Sequence, residues 1–126
     1  MIKEIRSKLI ELARLKTPWS YSQLNEQLLL GLNFSNGYDR DLIGEWLGEI
    51  SLYEYKKGRP LLSSLIIHKS SDREQGDGFY KLCGEIYGKD WEDLKADPNF
   101  ELERMKECYA FWNDNDNYKK YRNDYN

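Results

Sequence analysis

The sequence predicts a predominantly helical α+β fold with a short β-sheet and additional helices toward its C-terminal end. Three observations carry this expectation. Several segments repeat apolar residues at spacings of three and four, the period of a helix face. One segment, Gly58-Arg59-Pro60-Leu61-Leu62-Ser63-Ser64-Leu65-Ile66-Ile67-His68-Lys69, is apolar on both alternating faces, as in a strand covered on both sides. A chain of 126 residues can also bury roughly two-thirds of its unfolded surface, so its core needs no disulfide or metal. One domain is expected over residues 1–112, followed by a polar, flexible tail over 113–126.

Residues 2–15 place Ile2, Ile5, Leu9, Leu12 and Ala13 on one stripe, with Lys3, Arg6, Lys8 and Arg14 on the remaining faces. Thr17-Pro18 stops this helix, because proline disfavours helical geometry in the residue before it. Trp19-Ser20-Tyr21 reads as a short extended bridge. Ser20 or Ser22 then caps a second helix running to about Leu30, and Ser20 with Gln23 has capping-box spacing. Asn36-Gly37 is a turn signal, since both residues tolerate positive φ.

Asp39 is the expected N-cap of a third helix with Ile43, Trp46, Leu47 and Ile50 on its inner face, ending before Gly58. Pro60 suits a strand entrance, where its missing donor does least harm. That strand needs a backbone partner, either the Trp19–Tyr21 bridge or a stretch around Tyr53–Tyr55. Asp77 caps a helix closed by Gly88, Asp90 caps a short one, and Asp97-Pro98 opens the last long one.

The signs of charge come in blocks. The net charge is −3 overall, with +3 over 1–16, −5 over 17–55, +3 over 56–81, −4 over 82–112 and zero beyond. The third helix carries Asp39, Asp41, Glu45, Glu49 and Glu54. An acidic helix of this kind selects a basic partner surface and speeds its encounter. The overall acidity argues against a free nucleic-acid binder, which is usually basic. No apolar run approaches the roughly 18 residues that read as a membrane span. The N-terminus lacks an uninterrupted apolar stretch, so no signal peptide is expected.

Cys83 and Cys108 sit among apolar residues and read as reduced, buried thiols of a cytoplasmic protein. Zinc needs about four ligands at defined spacing, and His68 is the only histidine, so no metal or other cofactor is expected. A local triad of Ser63 or Ser64 with His68 and Asp72 fails on geometry. Residues four apart on a strand lie about 13 Å from each other. Gly76-Asp77-Gly78 is sufficiently explained as a turn and cap.

The order helix, extended Trp-Ser-Tyr, helix, loop, helix, strand resembles a winged-helix unit. Residues 17–69 resemble the C-terminal domain of alkylguanine-DNA alkyltransferase-like proteins. Tyr21-Ser22-Gln23-Leu24 stands at that family's Thr-Tyr-Gly step. Asp41-Leu42-Ile43-Gly44 stands at its Arg-x-Val-Gly step, and Arg59-Pro60-Leu61-Leu62 at its reactive Pro-Cys-His-Arg strand. The resemblance implies a winged-helix-like core without the reaction, since Leu61 occupies the nucleophile position. It also puts Asp41 where an arginine would face DNA, which adds repulsion from phosphate.

The expectation is therefore a non-enzymatic protein acting through a protein partner. Asp41, Glu45, Glu49 and Tyr53 would contact that partner, as in a small phage or mobile-element inhibitor or adaptor, and a homodimer is a further option. The alternative is a nucleic-acid-binding winged helix using Arg40, Lys56, Lys57, Arg59, Lys69 and Arg73. A third reading is a small enzyme using His68.

Overall fold

The computed structural model describes residues 2–67 and 77–125. Among these residues, seven helices and two short strands follow in chain order: α1 (Ile2–Leu15), β1 (Trp19–Ser20), α2 (Tyr21–Gln27), α3 (Gly37–Lys56), β2 (Ile66–Ile67), α4 (Asp77–Tyr87), α5 (Trp91–Ala96), α6 (Phe100–Asn113) and α7 (Asn115–Tyr121). A 3₁₀ turn, Leu62–Leu65, precedes β2. The fold is α+β and mostly helical, and its sheet is a single parallel pair, Trp19 opposite Ile66 and Ser20 opposite Ile67.

The helices start and stop where local chemistry directs. Ser20 accepts from the Gln23 amide at 3.1 Å while the Gln23 side chain accepts from the Ser20 amide at 2.8 Å. This completes the expected capping box and satisfies two orphan donors. Asp90 caps α5 by accepting from the Glu92 amide. Gly58, at φ 74°, turns the chain out of α3. The third helix begins earlier than expected. Asn36 is its N-cap, accepting from the Tyr38 amide at 2.9 Å. Asp39 instead accepts from the Asn33 amide and braces the preceding loop.

The main core joins Ile5, Leu9, Leu12, Leu24, Ile43, Leu47, Ile50, Leu62, Leu65, Ile66, Cys108 and Trp112. A second cluster gathers Leu61, Phe79, Tyr80, Cys83, Leu94 and Phe100 beneath α4 and α5. Those two helices meet at Gly84, where an added Cβ would stand 2.9 Å from the Lys89 carbonyl oxygen and 3.0 Å from the Trp91 Cβ. Gly84→Ala is therefore expected to destabilise the protein by about 1–3 kcal/mol through overpacking, although alanine is the better helix former. Thermal unfolding checks this, and an unchanged midpoint would refute the tight contact.

Two expectations need correction. The long strand is not formed. Residues 61–67 are all buried as foreseen, but Leu62–Leu65 coils into the 3₁₀ turn, and of the described residues only Ile66–Ile67 pairs with a neighbour. The Tyr53–Tyr55 stretch lies inside α3 and cannot serve as a strand. With only Trp19–Ser20 available, the other buried backbone and hydroxyl groups must be satisfied locally. The Ser64 amide donates to the Leu61 carbonyl at 3.1 Å. Ser51 and Ser63 hydroxyls bond at 2.6 Å, and the Ser63 amide donates to the Ser51 hydroxyl at 3.0 Å. His68 and Lys69, expected at the strand exit, lie outside the described residues.

The flexible tail is the second correction. Asp114 accepts from the amides of Asp116 and Asn117 and caps α7, a signal hidden in an Asn/Asp-rich run. Phe111 stacks on Tyr121 at 5.9 Å. The Arg14 guanidinium lies 4.0 Å over the Tyr118 ring, and Arg14 donates to the Trp112 carbonyl at 2.9 Å.

Candidate functional site

The described residues form a groove of about 730 Å³. One wall is α3, contributing Arg40, Asp41, Ile43, Gly44, Glu45, Leu47 and Gly48. Tyr21 and Ser22 at the start of α2, Phe34 in the following loop, Ser63, and Asp77–Phe79 with Leu82 complete it. Ile43, Leu47 and Phe79 are core residues that show an edge here, so the floor is apolar. Asp41, Gly44 and Glu45 are exposed, and the groove opens to solvent along this row. The volume falls within the range of ordinary binding pockets.

The α3 wall has an unusual composition. Residues 41, 44, 45 and 48 are spaced as one helical face and read Asp, Gly, Glu, Gly. A Cβ at Gly44 or Gly48 would meet nothing within 4 Å, so no contact among the described residues requires glycine there. Glycine in a helix interior costs about 0.5–1 kcal/mol relative to alanine. Arg40 is occupied at the rim, donating to the Phe34 carbonyl at 2.8 Å. Asp77 pairs with Lys95 at 2.6 Å.

The residues expected to meet a partner separate into two places. Asp41 and Glu45 line the groove. Glu49 is exposed one turn further along α3, outside the lining. Tyr53 is half-buried on the far side, its ring 4.6 Å from that of Tyr125. Of the basic edge, Arg59 does not face outward. Lys56 and Lys57 are exposed, whereas Arg59 is only 5% exposed and is turned inward. Lys69 and Arg73 lie outside the described residues.

Arg59 belongs to a buried ion cluster that the sequence did not reveal. Glu54 is completely buried and Arg6 is 2% exposed, though both had been placed on polar helix faces. The Glu54 carboxylate accepts four hydrogen bonds: from Arg6 Nε at 3.3 Å and Nη2 at 3.2 Å, and from Arg59 Nε at 3.1 Å and Nη2 at 2.8 Å. Both oxygens are thus saturated. Arg6 also donates to the carbonyls of Arg122 at 2.8 Å and Tyr121 at 3.0 Å. These are end-of-helix acceptors that α7 itself cannot satisfy.

Arg59 reaches the Asp124 carboxylate at 2.7 Å and its carbonyl at 3.2 Å. Two arginines and two carboxylates bring the cluster to neutrality. Burial pulls the Arg59 pKa down, but hydrogen bonds and charge from Glu54 and Asp124 outweigh it and leave the pKa raised. With every charge matched inside the fold, this cluster is structural.

Cysteine chemistry is also disfavoured. Burial pushes both thiols up to about 12; Ser64 opposes this at Cys108 and Arg104 at Cys83. The reactive form of cysteine is the thiolate, and Cys108 instead donates to the Leu61 carbonyl at 3.3 Å. No three His, Cys, Asp or Glu side chains converge as metal ligands among the described residues. No helix of the described residues is long and apolar enough to cross a membrane. Comparison with protein-family models, curated proteins and solved structures returns no match for this chain.

Proposed function

We propose that the protein is a cytoplasmic, non-enzymatic binding protein that docks a protein partner in the groove beside α3. One observation carries the reading: an apolar floor of Ile43, Leu47, Phe79 and Leu82 lies under a rim bearing Asp41 and Glu45. Apolar area supplies affinity, and the acidic rim selects a basic partner and repels nucleic-acid phosphate. Size and charge fit an inhibitor or adaptor of a nucleic-acid enzyme, the phage or mobile-element class among them.

As a proposal about fold, residues 17–69 form a winged-helix-like unit related to the alkyltransferase-like domain and lacking its reaction. The Ser20-capped α2 followed by α3, with β1 beside β2, supports it.

The test is affinity capture from the source cells, followed by titration of the purified partner. Asp41→Lys with Glu45→Lys is expected to weaken that binding more than tenfold at low salt, and less as salt screens the pair. Undiminished binding by the double variant would sink the reading. A salt-sensitive gel shift with DNA or RNA would favour the nucleic-acid alternative, with Arg40, Lys56 and Lys57 as its exposed described cations.

A further inference from the structure

We infer that the occupant of the groove is a basic amphipathic α-helix of the partner, lying against α3 with its backbone close to Gly44 and Gly48. This rests on the partner-binding function proposed above and says what kind of element binds. Gly44 and Gly48 are one helical turn apart on the groove side, and no described residue fills the space above either. Two glycines in the interior of a 20-residue helix weaken it, and no described residue makes a contact there in return. A second helix can use that space: without Cβ atoms on one side, the two axes can approach below the usual 8–10 Å.

Asp41 and Glu45 sit beside these glycines at i, i+4 spacing, so lysines or arginines one turn apart on the incoming helix meet both. Its apolar stripe then faces Ile43, Leu47, Phe79 and Leu82. An extended peptide has less to pair with. Among the described residues the sheet is two residues long on each strand, and Ser20, Ile66 and Ile67 are buried, so they offer no free edge for strand addition.

The test uses the full chain and a fluorescein-labelled leucine/alanine/lysine peptide, patterned as an amphipathic helix and read by anisotropy. Controls are the same peptide with glutamate for lysine, and one with a central proline. Saturable binding of the lysine peptide is expected, with at least tenfold weaker binding of both controls. Gly44→Leu and Gly48→Leu should each lose at least tenfold in affinity without lowering the melting temperature, because no described residue lies within 4 Å of a Cβ at either position. Gly44→Ala, which cannot harm folding by crowding, should raise the melting temperature and weaken binding by a smaller factor.

If charge reversal at Asp41 and Glu45 abolishes binding while the glycine variants and the proline peptide bind like wild type, the helix inference fails and the partner-binding function stands. If the lysine peptide does not bind, or binds no better than the glutamate peptide, the inference is overturned. Charge reversal that leaves a purified natural partner bound overturns the function as well.

Discussion

Glu54→Gln is expected to destabilise the protein by about 3–5 kcal/mol, the range for removing one member of a buried ion pair. The amide keeps the shape but removes the charge that holds Arg6 and Arg59 side by side. It also turns two of the four accepting positions into donors facing donors. The guanidiniums, 2% and 5% exposed, would then repel each other with little water to screen them. Urea denaturation monitored by tryptophan fluorescence measures the loss, and a change below 1 kcal/mol would show that the carboxylate does not hold the cluster. Removing Glu54 and both arginines together is a different experiment, and it leaves Asp124, 33% exposed, to water. Arg6→Met, Glu54→Leu and Arg59→Leu together are expected to cost far less than Glu54→Gln alone, because desolvation of the ions disappears along with their attraction.

Ending the chain at Lys120 is the second large perturbation. Arg6 would lose the carbonyls of Tyr121 and Arg122, Arg59 would lose Asp124, and Tyr53 would lose the ring of Tyr125. Hydrogen bonds to a charged group contribute about 1.5–3 kcal/mol each. Water admitted to the opened site replaces part of this, so the net loss expected from the Arg6 bonds is about 2–3 kcal/mol. A truncated chain as stable as the full one would mean that the last residues merely lie on the surface.

Asp124→Asn isolates the charge. The hydrogen bond from Arg59, opposed by desolvation and reinforced by the charges of Arg59, Lys57 and Arg6, holds the Asp124 carboxyl below its usual range. A lowered folded-state pKa stabilises the fold above the unfolded carboxylate value, and the contribution disappears as pH falls through the folded value. The gap in stability between wild type and Asp124→Asn should therefore be full at neutral pH and shrink below about pH 4. A gap that widens on acidification would contradict the Arg59–Asp124 pairing.

The two clusters of charge show where sequence reasoning succeeds and where it stops. Asp41 and Glu45 were legible as solvent-facing carboxylates because the period of α3 places them opposite Ile43, Leu47 and Ile50. The same argument misplaced Glu54 and Arg6. A charged residue at an inward-facing position looks like an interruption of the apolar stripe until its partner is known. Gly44 and Gly48 carried a signal in plain view, two weak helix formers inside a strong helical pattern. Only the empty space above both made it interpretable.

What the sequence determined by itself is local. The helix periods, the Ser20–Gln23 box, the Asp90 cap and the Gly58 stop all act within a few residues, through backbone sterics and orphan amides. Burial of 61–67 was equally plain from composition. Tertiary structure decided the rest. Among the described residues only Trp19–Ser20 pairs with that segment, so Ile66 and Ile67 became strand while Leu62–Leu65 coiled. The polar end became a helix and a strap because Arg6 and Arg59 needed acceptors, supplied from 116 and 65 residues away. Periodicity carries no information over such separations. Charges are matched by proximity in space, which exists only once the chain has folded.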